Sequence, residues 1–438
     1  MSPTPAATPT ASARHAAFAV AAPGLAPLVA AELRALGFHA LRADEAGVAF
    51  EATGERLMLA NLWLRTASRV VVRLVDVPGI TSFRELERVA RLVPWATLVP
   101  PGAVVRVRAT CRKSRLYHSD AVAERVAGAI ERVVGGVTFV AGGGAADDEG
   151  DDAPGDDPAE GAGDGAQLVV VRFFHDRCTI SADSSGALLH RRGWRQAVGR
   201  APLRETLAAA MLQAAGYDGS APLLDPLAGS GTIAIEAALL ARRLAPGRHR
   251  RFAFERWPGF DAAAWRRLLA DADARALPRA PHPIEASDRD AGAVAAARAN
   301  AGRAGVEGDV QVVQRPLSAL SPLAPGTPAG WVVTNPPYGK RVGERAALRD
   351  LYARLGDVLR VRRPGWRLAL LGADPLLEGQ LGLAFEAPVR TRNGGLPVRV
   401  LVGRVPADPA ASTSGAPGPA GADRGTVAVE SADLDASP

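Results

Sequence analysis

The most specific chemistry that this sequence offers lies in the tetrapeptide Asn335-Pro336-Pro337-Tyr338. Residues 331–334 predict a buried strand, which stops at two prolines that fix φ and donate no hydrogen bond. The prediction is a rigid turn at the carboxyl end of a strand, where open α/β sheets hold their ligands. The turn offers an amide, a carbonyl without a neighbouring N–H, and an aromatic ring. These groups suit a flat, amine-bearing ring such as a nucleobase.

A second candidate site lies upstream, where strand, glycine loop and helix follow one another. The loop reads Asp225-Pro226-Leu227-Ala228-Gly229-Ser230-Gly231-Thr232, before the helical run 233–244. Its glycines let a ligand approach the backbone, and the helix N-terminus supplies free N–H groups. Ala234 stands where a dinucleotide fingerprint has its third glycine. Asp225 would repel a pyrophosphate but hold an ammonium group, which favours a ligand with an amino-acid end such as S-adenosylmethionine (SAM). Alone, the run also fits a purely structural turn.

The two motifs together, in this order, resemble the THUMP-bearing class I methyltransferases that methylate guanine N2 in RNA. The resemblance is strongest to the bacterial enzymes that act on 23S rRNA of the large subunit, and it extends from residue 15 to 404. The matching runs are 18–35, 62–68, 190–194, 201–211, 223–241, 245–249, 287–301, 334–343 and 392–395. The turn at Asn335 is less specific alone, because DNA adenine and protein glutamine methyltransferases have a similar one.

This resemblance implies transfer of a methyl group from SAM to a guanine N2, with catalytic roles for Asn335, Pro336, Pro337 and Tyr338. Transfer from a sulfonium is an in-line displacement, so catalysis is mainly alignment. The side-chain oxygen of Asn335 and the carbonyl of Pro336 would accept both N2 hydrogens and stabilise the developing positive charge. Tyr338 would stack on the base, which must leave its helix to reach the site.

For the methyl donor, the resemblance implies contacts from the glycine loop, the helix after it and the end of the next strand. The implied set is Asp225, Pro226, Gly229, Ser230, Gly231, Thr232, Glu236 and Asp288. Asp288 follows strand 284–287 and is preferred to Asp290 for the ribose hydroxyls, as in dinucleotide folds. Pro316 stands where the family usually has an acid that contacts the adenine amino group. We assign no residue to that contact.

Clusters of basic and aromatic residues predict contact with RNA phosphates and bases. The predicted RNA contacts are Arg112, Lys113, Arg115, Tyr117, Arg191, Arg192, Trp194, Arg195, Lys340 and Arg341. The first four follow a strand at 103–109, and the next four lie in a basic linker. Any one of these charges alone fits a solvated surface better than an RNA contact, and only the clusters favour RNA.

The charge distribution indicates a polyanionic partner. The 438 residues carry a formal charge of +6, but segment 141–166 holds nine acids and no base, and segment 405–438 holds five acids and one base. The remaining residues therefore carry +19. A charge of this size is typical of proteins that bind nucleic acid. The alternative is arginine enrichment from genome composition, since Lys113 and Lys340 are the two lysines of the chain.

Several classes of protein are excluded by composition. No run reaches about 18 uninterrupted apolar residues, so no transmembrane helix is expected. Residues 1–13 have neither a basic start nor an apolar core, so they are not a signal peptide. Cys111 and Cys178 form neither a metal motif nor a disulfide framework. We expect a cytoplasmic protein with no metal and no membrane partner, and the oligomeric state stays open.

The predicted fold class is α/β: a Rossmann-like class I methyltransferase domain, with a doubly wound sheet and an antiparallel last strand, preceded by an α+β ferredoxin-like/THUMP region. The predicted sections are a disordered leader 1–14, a ferredoxin-like region 15–73 around one helix 25–36, a THUMP RNA-binding module 74–186 with a disordered acidic insertion 141–166, a basic linker 187–200, the methyltransferase domain 201–404 and a disordered tail 405–438.

Some finer predictions concern single elements. Ser119 is a plausible N-cap of helix 119–133, and Pro202 suits the first position of helix 202–215. Strands are expected near 222–225, 283–287, 309–314, 331–335 and 366–372. A hairpin is expected from 388–392 to 398–405 through Asn393-Gly394-Gly395.

Two other functions remain open. The first is the same chemistry on tRNA, because THUMP modules often accompany tRNA modification. The second is an RNA-binding or ribosome-assembly factor without catalysis, for which Pro316 is the support. The THUMP-like half argues against DNA adenine or protein substrates.

Overall fold

The computed structural model describes residues 14–140, 165–196, 203–338 and 345–407. The predicted leader, acidic insertion and tail lie outside these ranges except at their margins. Pro202, Lys340 and Arg341 also lie outside them.

The N-terminal half is built on one eight-stranded sheet in the order β2-β3-β1-β4-β8-β7-β5-β6. β5 is parallel to β6 and β7, and the other neighbours are antiparallel. Its elements are β1 (His15–Ala21), α1 (Ala26–Ala35), β2 (Arg42–Asp44), β3 (Gly47–Ala52), α2 (Gly54–Trp63), β4 (Ala67–Val77), α3 (Phe83–Arg91), β5 (Val104–Arg112), α4 (Ser119–Val134), β6 (Thr138–Val140), β7 (Gln167–Phe174) and β8 (Arg177–Asp183). The predicted boundary after residue 73 falls inside β4, which pairs with β1 and with β8.

Three local predictions in this half need correction. The region 15–73 has a second helix, α2, which begins where the Thr53 side chain accepts from the Arg56 N–H. Sequence reasoning also missed α3, although Ser82 and Glu85 form a capping box, which is readable from sequence. Ser119 is the first residue of α4 and not its cap; the cap position belongs to His118, which makes no side-chain capping bond.

The C-terminal half is built on a seven-stranded sheet in the order β11-β10-β9-β12-β13-β15-β14. Strands β11, β10, β9, β12 and β13 are parallel, and β15 is antiparallel to β13, so the predicted class I topology is confirmed. The elements are α5 (Glu205–Ala214), β9 (Leu223–Asp225), α6 (Thr232–Ala241), α7 (Ala262–Ala274), β10 (Ile284–Asp288), α8 (Ala291–Ala304), β11 (Val310–Gln314), β12 (Trp331–Thr334), α9 (Arg345–Arg362), β13 (Arg367–Gly372), α10 (Pro375–Gly379), β14 (Phe385–Asn393) and β15 (Leu396–Arg404). α5 begins at Glu205 with Arg204 at the cap position, so Pro202 is not its first residue.

The hydrophobic cores join the two halves and cover the second sheet. One core runs from Val29 and Leu33 of α1 to Leu207 and Met211 of α5, and it continues under α6. A second core fills the space between β5, β7, β8 and α4, and a third packs α9 against the other face of the second sheet. Strand order reverses between β9 and β12, which places the ends of both strands at a switch point where such sheets bind ligands.

Within the described ranges, no helix is both long and apolar enough to cross a bilayer. The same ranges contain no group of three His, Cys, Asp or Glu side chains that could hold a metal ion. Cys111 and Cys178 are free thiols.

Candidate functional site

The two predicted motifs meet at the carboxyl edge of the second sheet. Trp331 of β12 pairs with Leu223 of β9, so both strands end at the same level. The Thr334 hydroxyl then donates to Asp225 Oδ1 at 2.7 Å. The Leu227 N–H donates to the same oxygen at 3.3 Å. The proline turn and the glycine loop are therefore joined through one buried carboxylate.

Asn335 presents a buried acceptor that is not used. Its Oδ1 has no hydrogen-bond partner among the residues that the structure describes. An unsatisfied buried acceptor costs about 1–3 kcal/mol, so such an atom marks a place where a ligand can donate. Pro336 beside it is buried, while Pro337 is exposed. The turn can accept a hydrogen bond from a ligand.

Tyr338 is half-buried and fixed by a residue from the hairpin. The Asn393 side-chain amide donates to the Tyr338 hydroxyl at 2.7 Å. Burial raises the pKa of Tyr338, and this hydrogen bond partly opposes the shift. Asn393 was predicted only as a turn residue, and nothing in its local sequence indicates its contact with Tyr338.

The glycine loop is held in shape by carboxylate and amide side chains. The Gly229 N–H donates to Asp288 Oδ2 at 3.0 Å, and the Asp290 N–H donates to Asp288 Oδ1 at 3.0 Å. The Asn300 amide, buried on α8, donates to the Ser230 carbonyl at 3.0 Å. Sequence reasoning did not assign Asn300. Asp290 itself caps α8, which agrees with the preference for Asp288 as the ribose ligand.

The two loop glycines serve different ends. Gly229 has φ +51°, and a Cβ there would meet nothing within 4 Å, so its surface is open to a ligand. Gly231 has φ +82° and precedes α6; a Cβ there would lie 3.0 Å from Ala297 Cβ. Gly231 is therefore needed for close packing of the loop on α8.

Asp225 is a buried carboxylate that lacks a cation among the described residues. It is 1% exposed, and burial raises its pKa to about 7, while hydrogen bonds from Thr334 and Leu227 oppose the shift. A ligand ammonium group would restore the charged form. The loop and Asp225 thus fit the amino-acid end of SAM, and Asp288, at the end of the neighbouring strand, fits its ribose.

The prediction that Glu236 contacts the donor is wrong in this structure. Its side chain is fully buried between two guanidinium groups: Arg192 Nε lies 3.3 Å from Oε1, and Arg65 Nη1 lies 3.8 Å from Oε2. Arg192 is 2% exposed and also donates to the carbonyls of Leu189 and Arg65, both at 2.6 Å. The predicted RNA contact by Arg192 is therefore also wrong.

Two further linker predictions need correction. Trp194 is 3% exposed, so its ring is not available to stack on a base. The Arg195 side chain is 12% exposed and binds Thr232, Glu205 and the Leu203 carbonyl, so it is occupied inside the protein. Arg191 is exposed, as an RNA contact requires. Pro316 follows β11 and is exposed, and it offers no side-chain acceptor for an adenine.

The predicted basic-aromatic turn, residues 112–118, lies on the surface. Arg112, Lys113 and Arg115 are exposed, and Tyr117 is 67% exposed with its ring 4.0 Å from that of His118. The β7–β8 turn locks against it, because the Arg115 N–H donates to Asp176 Oδ1 at 2.7 Å. That neighbouring turn adds Phe174, 56% exposed, which sequence reasoning did not assign. The two turns form one exposed surface with cations and flat rings.

Comparison with known proteins finds relatives that extend over most of this chain. Residues 192–398 match the RMKL-like methyltransferase domain, and residues 16–71 match the RlmL ferredoxin-like domain. A Synechocystis protein whose name assigns it RNA methyltransferase activity is 34% identical over 386 residues, which cover 88% of this chain and 95% of that protein. Ribosomal RNA large subunit methyltransferase K/L of Marinobacter nauticus is 35% identical, and the match covers 91% of this chain and 55% of the relative. The chain thus spans about half the length of such K/L relatives.

Solved structures share the fold over nearly the whole chain. A Listeria monocytogenes protein named as an N6-adenine-specific DNA methylase has a TM-score of 0.74 at 30% identity, covering 89% of this chain and 96% of its own. The methyltransferase SMU.472, solved with S-adenosylhomocysteine (SAH), has a TM-score of 0.74 at 27% identity, and the match covers 89% of this chain and 97% of that protein. Both the catalytic region and the preceding half have counterparts in these proteins. This chain belongs to the RMKL-like methyltransferase family.

Proposed function

We propose that this protein uses SAM to methylate the exocyclic N2 amine of a guanine in 23S rRNA. The observation that carries the proposal is the buried Oδ1 of Asn335 just after β12, beside the glycine loop, which has no hydrogen-bond partner within the described part of the chain. An exocyclic amine supplies the N–H that this oxygen lacks. The Pro336 carbonyl is the second acceptor, so both amine hydrogens have a partner.

The protein's own residues act by binding and alignment. The donor would supply a sulfonium methyl group, whose carbon the amine nitrogen would attack while S-adenosylhomocysteine leaves with the bonding pair. Asn335 and Pro336 hold the amine with its lone pair directed at that group and stabilise its developing positive charge. Tyr338, fixed by Asn393, stacks on the base. No strong base is required, because the methylated ammonium loses its proton to water.

The donor-binding role rests on the loop at β9. Asp225 holds the amino group of SAM, residues Gly229 to Thr232 surround its methionine end, and Asp288 binds the ribose hydroxyls. Support comes from the buried Asp225 carboxylate without a cation among the described residues, and from SMU.472, a relative at 27% identity that binds SAH.

Large-subunit rRNA is the substrate favoured by the names of the K/L relatives, and the name of the Synechocystis relative indicates RNA without further detail. The exposed turn at 112–118 contacts RNA with its cations and Tyr117, and residues 74–186 act as a THUMP module. The name of the Listeria relative indicates DNA instead, and the assay below distinguishes these substrates. We place the reaction in the cytoplasm, where rRNA is available.

The test is transfer of tritiated methyl groups from SAM to purified rRNA, tRNA and DNA from a deletion strain. The wild type should label 23S rRNA, and digestion should release N2-methylguanosine. Asn335→Ala should lower kcat by about 10²–10³, because it removes an acceptor aligned on developing charge. SAM affinity should stay unchanged, since the proposal assigns Asn335 to the target amine and other residues to the donor.

Gln380→Ala is the matched control, because it removes an exposed amide elsewhere on the same domain. It should keep wild-type activity. Label in tRNA alone, in DNA alone or in no nucleic acid would each overturn the rRNA assignment. Loss of SAM binding in Asn335→Ala would contradict the role of Asn335.

A further inference from the structure

Arg195, in the linker before the methyltransferase domain, contacts the glycine loop from one side. Arg195 Nη2 donates to the Thr232 hydroxyl at 2.7 Å and to the Leu203 carbonyl at 2.6 Å. Its Nε lies 3.1 Å from Glu205 Oε1. Thr232 is the first residue of α6, directly after Gly231. One planar guanidinium thus ties the linker, the start of α5 and the start of α6 together.

The same linker reaches the other side of the loop through α8. The Trp194 carbonyl accepts from Arg303 Nε at 2.7 Å, and Arg303 also donates to the Asn300 side-chain oxygen. Asn300 in turn donates to the Ser230 carbonyl at 3.0 Å. Residues 194 and 195 therefore hold Ser230 and Thr232, which flank Gly231.

The rest of α6 is anchored independently of Arg195. Glu236 pairs with Arg192 and Arg65, and Arg65 Nη2 donates to the Leu244 carbonyl just beyond the helix end, at 2.6 Å. Loss of the Arg195–Thr232 bond would leave the helix in place and release only its first turn. That turn is the part that faces the donor loop.

We propose that Arg195 is a positioning residue for the methyl donor: it acts through the Thr232 hydroxyl and sets the shape of the loop that binds SAM. The inference rests on the proposed function, since it requires SAM at this loop. Arg195 belongs to the linker, whose charges resemble RNA contacts in sequence. Its three partners lie inside the protein, and its effect is on donor affinity and not on RNA affinity.

The test is a double-mutant cycle on the full chain, read by calorimetric titration with SAH and by steady-state kinetics. Arg195→Lys keeps a cation, but one ammonium nitrogen cannot replace both Nε, which lies beside Glu205, and Nη2, which donates to Thr232 and Leu203. Thr232→Val removes the hydroxyl at nearly constant volume. Each variant should bind SAH about tenfold more weakly, the scale expected for loss of one charge-assisted hydrogen bond. The KM for SAM should rise in parallel.

Two readouts separate positioning from a general loss of stability. The double variant should bind about as weakly as the weaker single variant, because both changes remove one interaction. Thr232→Ser keeps the hydroxyl that accepts from Arg195, so it should bind SAH more tightly than Thr232→Val. In Arg195→Lys, the kcat at saturating SAM and the KM for RNA should stay within about twofold of wild type. Arg251→Met, at a side chain 91% exposed, is the control that removes an arginine without effect on SAH.

The outcomes are distinct. Wild-type affinity in Arg195→Lys, multiplied losses in the double variant, or a raised KM for RNA alone would each overturn the inference. A wild-type protein that binds neither SAM nor SAH would overturn the proposed function, and this inference with it.

Discussion

Replacing Asp225 with asparagine should change ligand-free stability and donor binding in opposite directions. The side chain is 1% exposed, and Oδ1 accepts both the Thr334 hydroxyl and the Leu227 N–H. An asparagine oxygen can accept the same two hydrogen bonds. Asp225→Asn therefore removes a buried ionisable group and keeps its local contacts, while it loses the charge that would hold the SAM ammonium group.

The size of the stability effect follows from the pKa of Asp225. Burial raises this pKa from 3.8 to about 7. The folded state therefore binds the proton more tightly than the unfolded state, and the stability that this group contributes is lost as pH rises from the unfolded pKa through the folded one. One pKa unit corresponds to about 1.4 kcal/mol. Between pH 5.5 and 8, the free energy of unfolding should fall by about 2 kcal/mol more in the wild type than in Asp225→Asn.

The assay is urea unfolding of both proteins without ligand at pH 5.5, 7 and 8, with SAH titration at pH 7.5. We expect the curves of free energy of unfolding against pH to diverge in favour of the variant, and the variant to bind SAH at least tenfold more weakly. Asp290→Asn changes the exposed cap of α8 and should not alter the slope. Parallel pH curves would refute the buried-carboxylate reasoning, and unchanged SAH affinity would refute the ammonium contact.

Two other substitutions test the loop and the exposed surface. Gly231→Ala should lower the free energy of unfolding by about 2–4 kcal/mol, because φ is +82° and the new Cβ would lie 3.0 Å from Ala297. Gly229→Ala has open space around it, so it should lower the free energy of unfolding by only about 1–2 kcal/mol in the same denaturation assay. Tyr117→Ala should weaken RNA binding about 5- to 150-fold in filter binding at fixed salt, the range for loss of one stacked base, with little change in melting temperature. Leu92→Ala, at another exposed apolar side chain, is its control, and equal RNA affinity in both variants would contradict the assigned surface.

Sequence reasoning located the meeting of the two motifs because that meeting depends on topology alone. Parallel neighbours end at one edge, so a turn after β12 and a loop after β9 must lie together. The prolines and glycines that define these turns act through their own backbone conformations. Such information is local and can be read directly from the chain.

The basic linker shows where this reasoning ends. Arg192, Trp194 and Arg195 have the composition of an RNA-binding segment, yet they are largely buried because Glu236, Glu205 and Thr232 lie opposite them in the fold. No spacing rule connects a linker arginine with an acid in a later helix. The contact between Asn393 and Tyr338 was missed for the same reason.

Strand β4 links two parts of the first sheet, and this link affects which nucleotide of an RNA could be modified. This strand is hydrogen-bonded to β1 on one edge and to β8 on the other, and α1 shares a core with α5. Separating the exposed turn at 112–118 from the catalytic corner would require those ladders and that core to come apart. On the proposed function, the distance between the RNA bound at this turn and the modified nucleotide is therefore fixed, and lengthening the intervening RNA stem should shift methylation to another nucleotide.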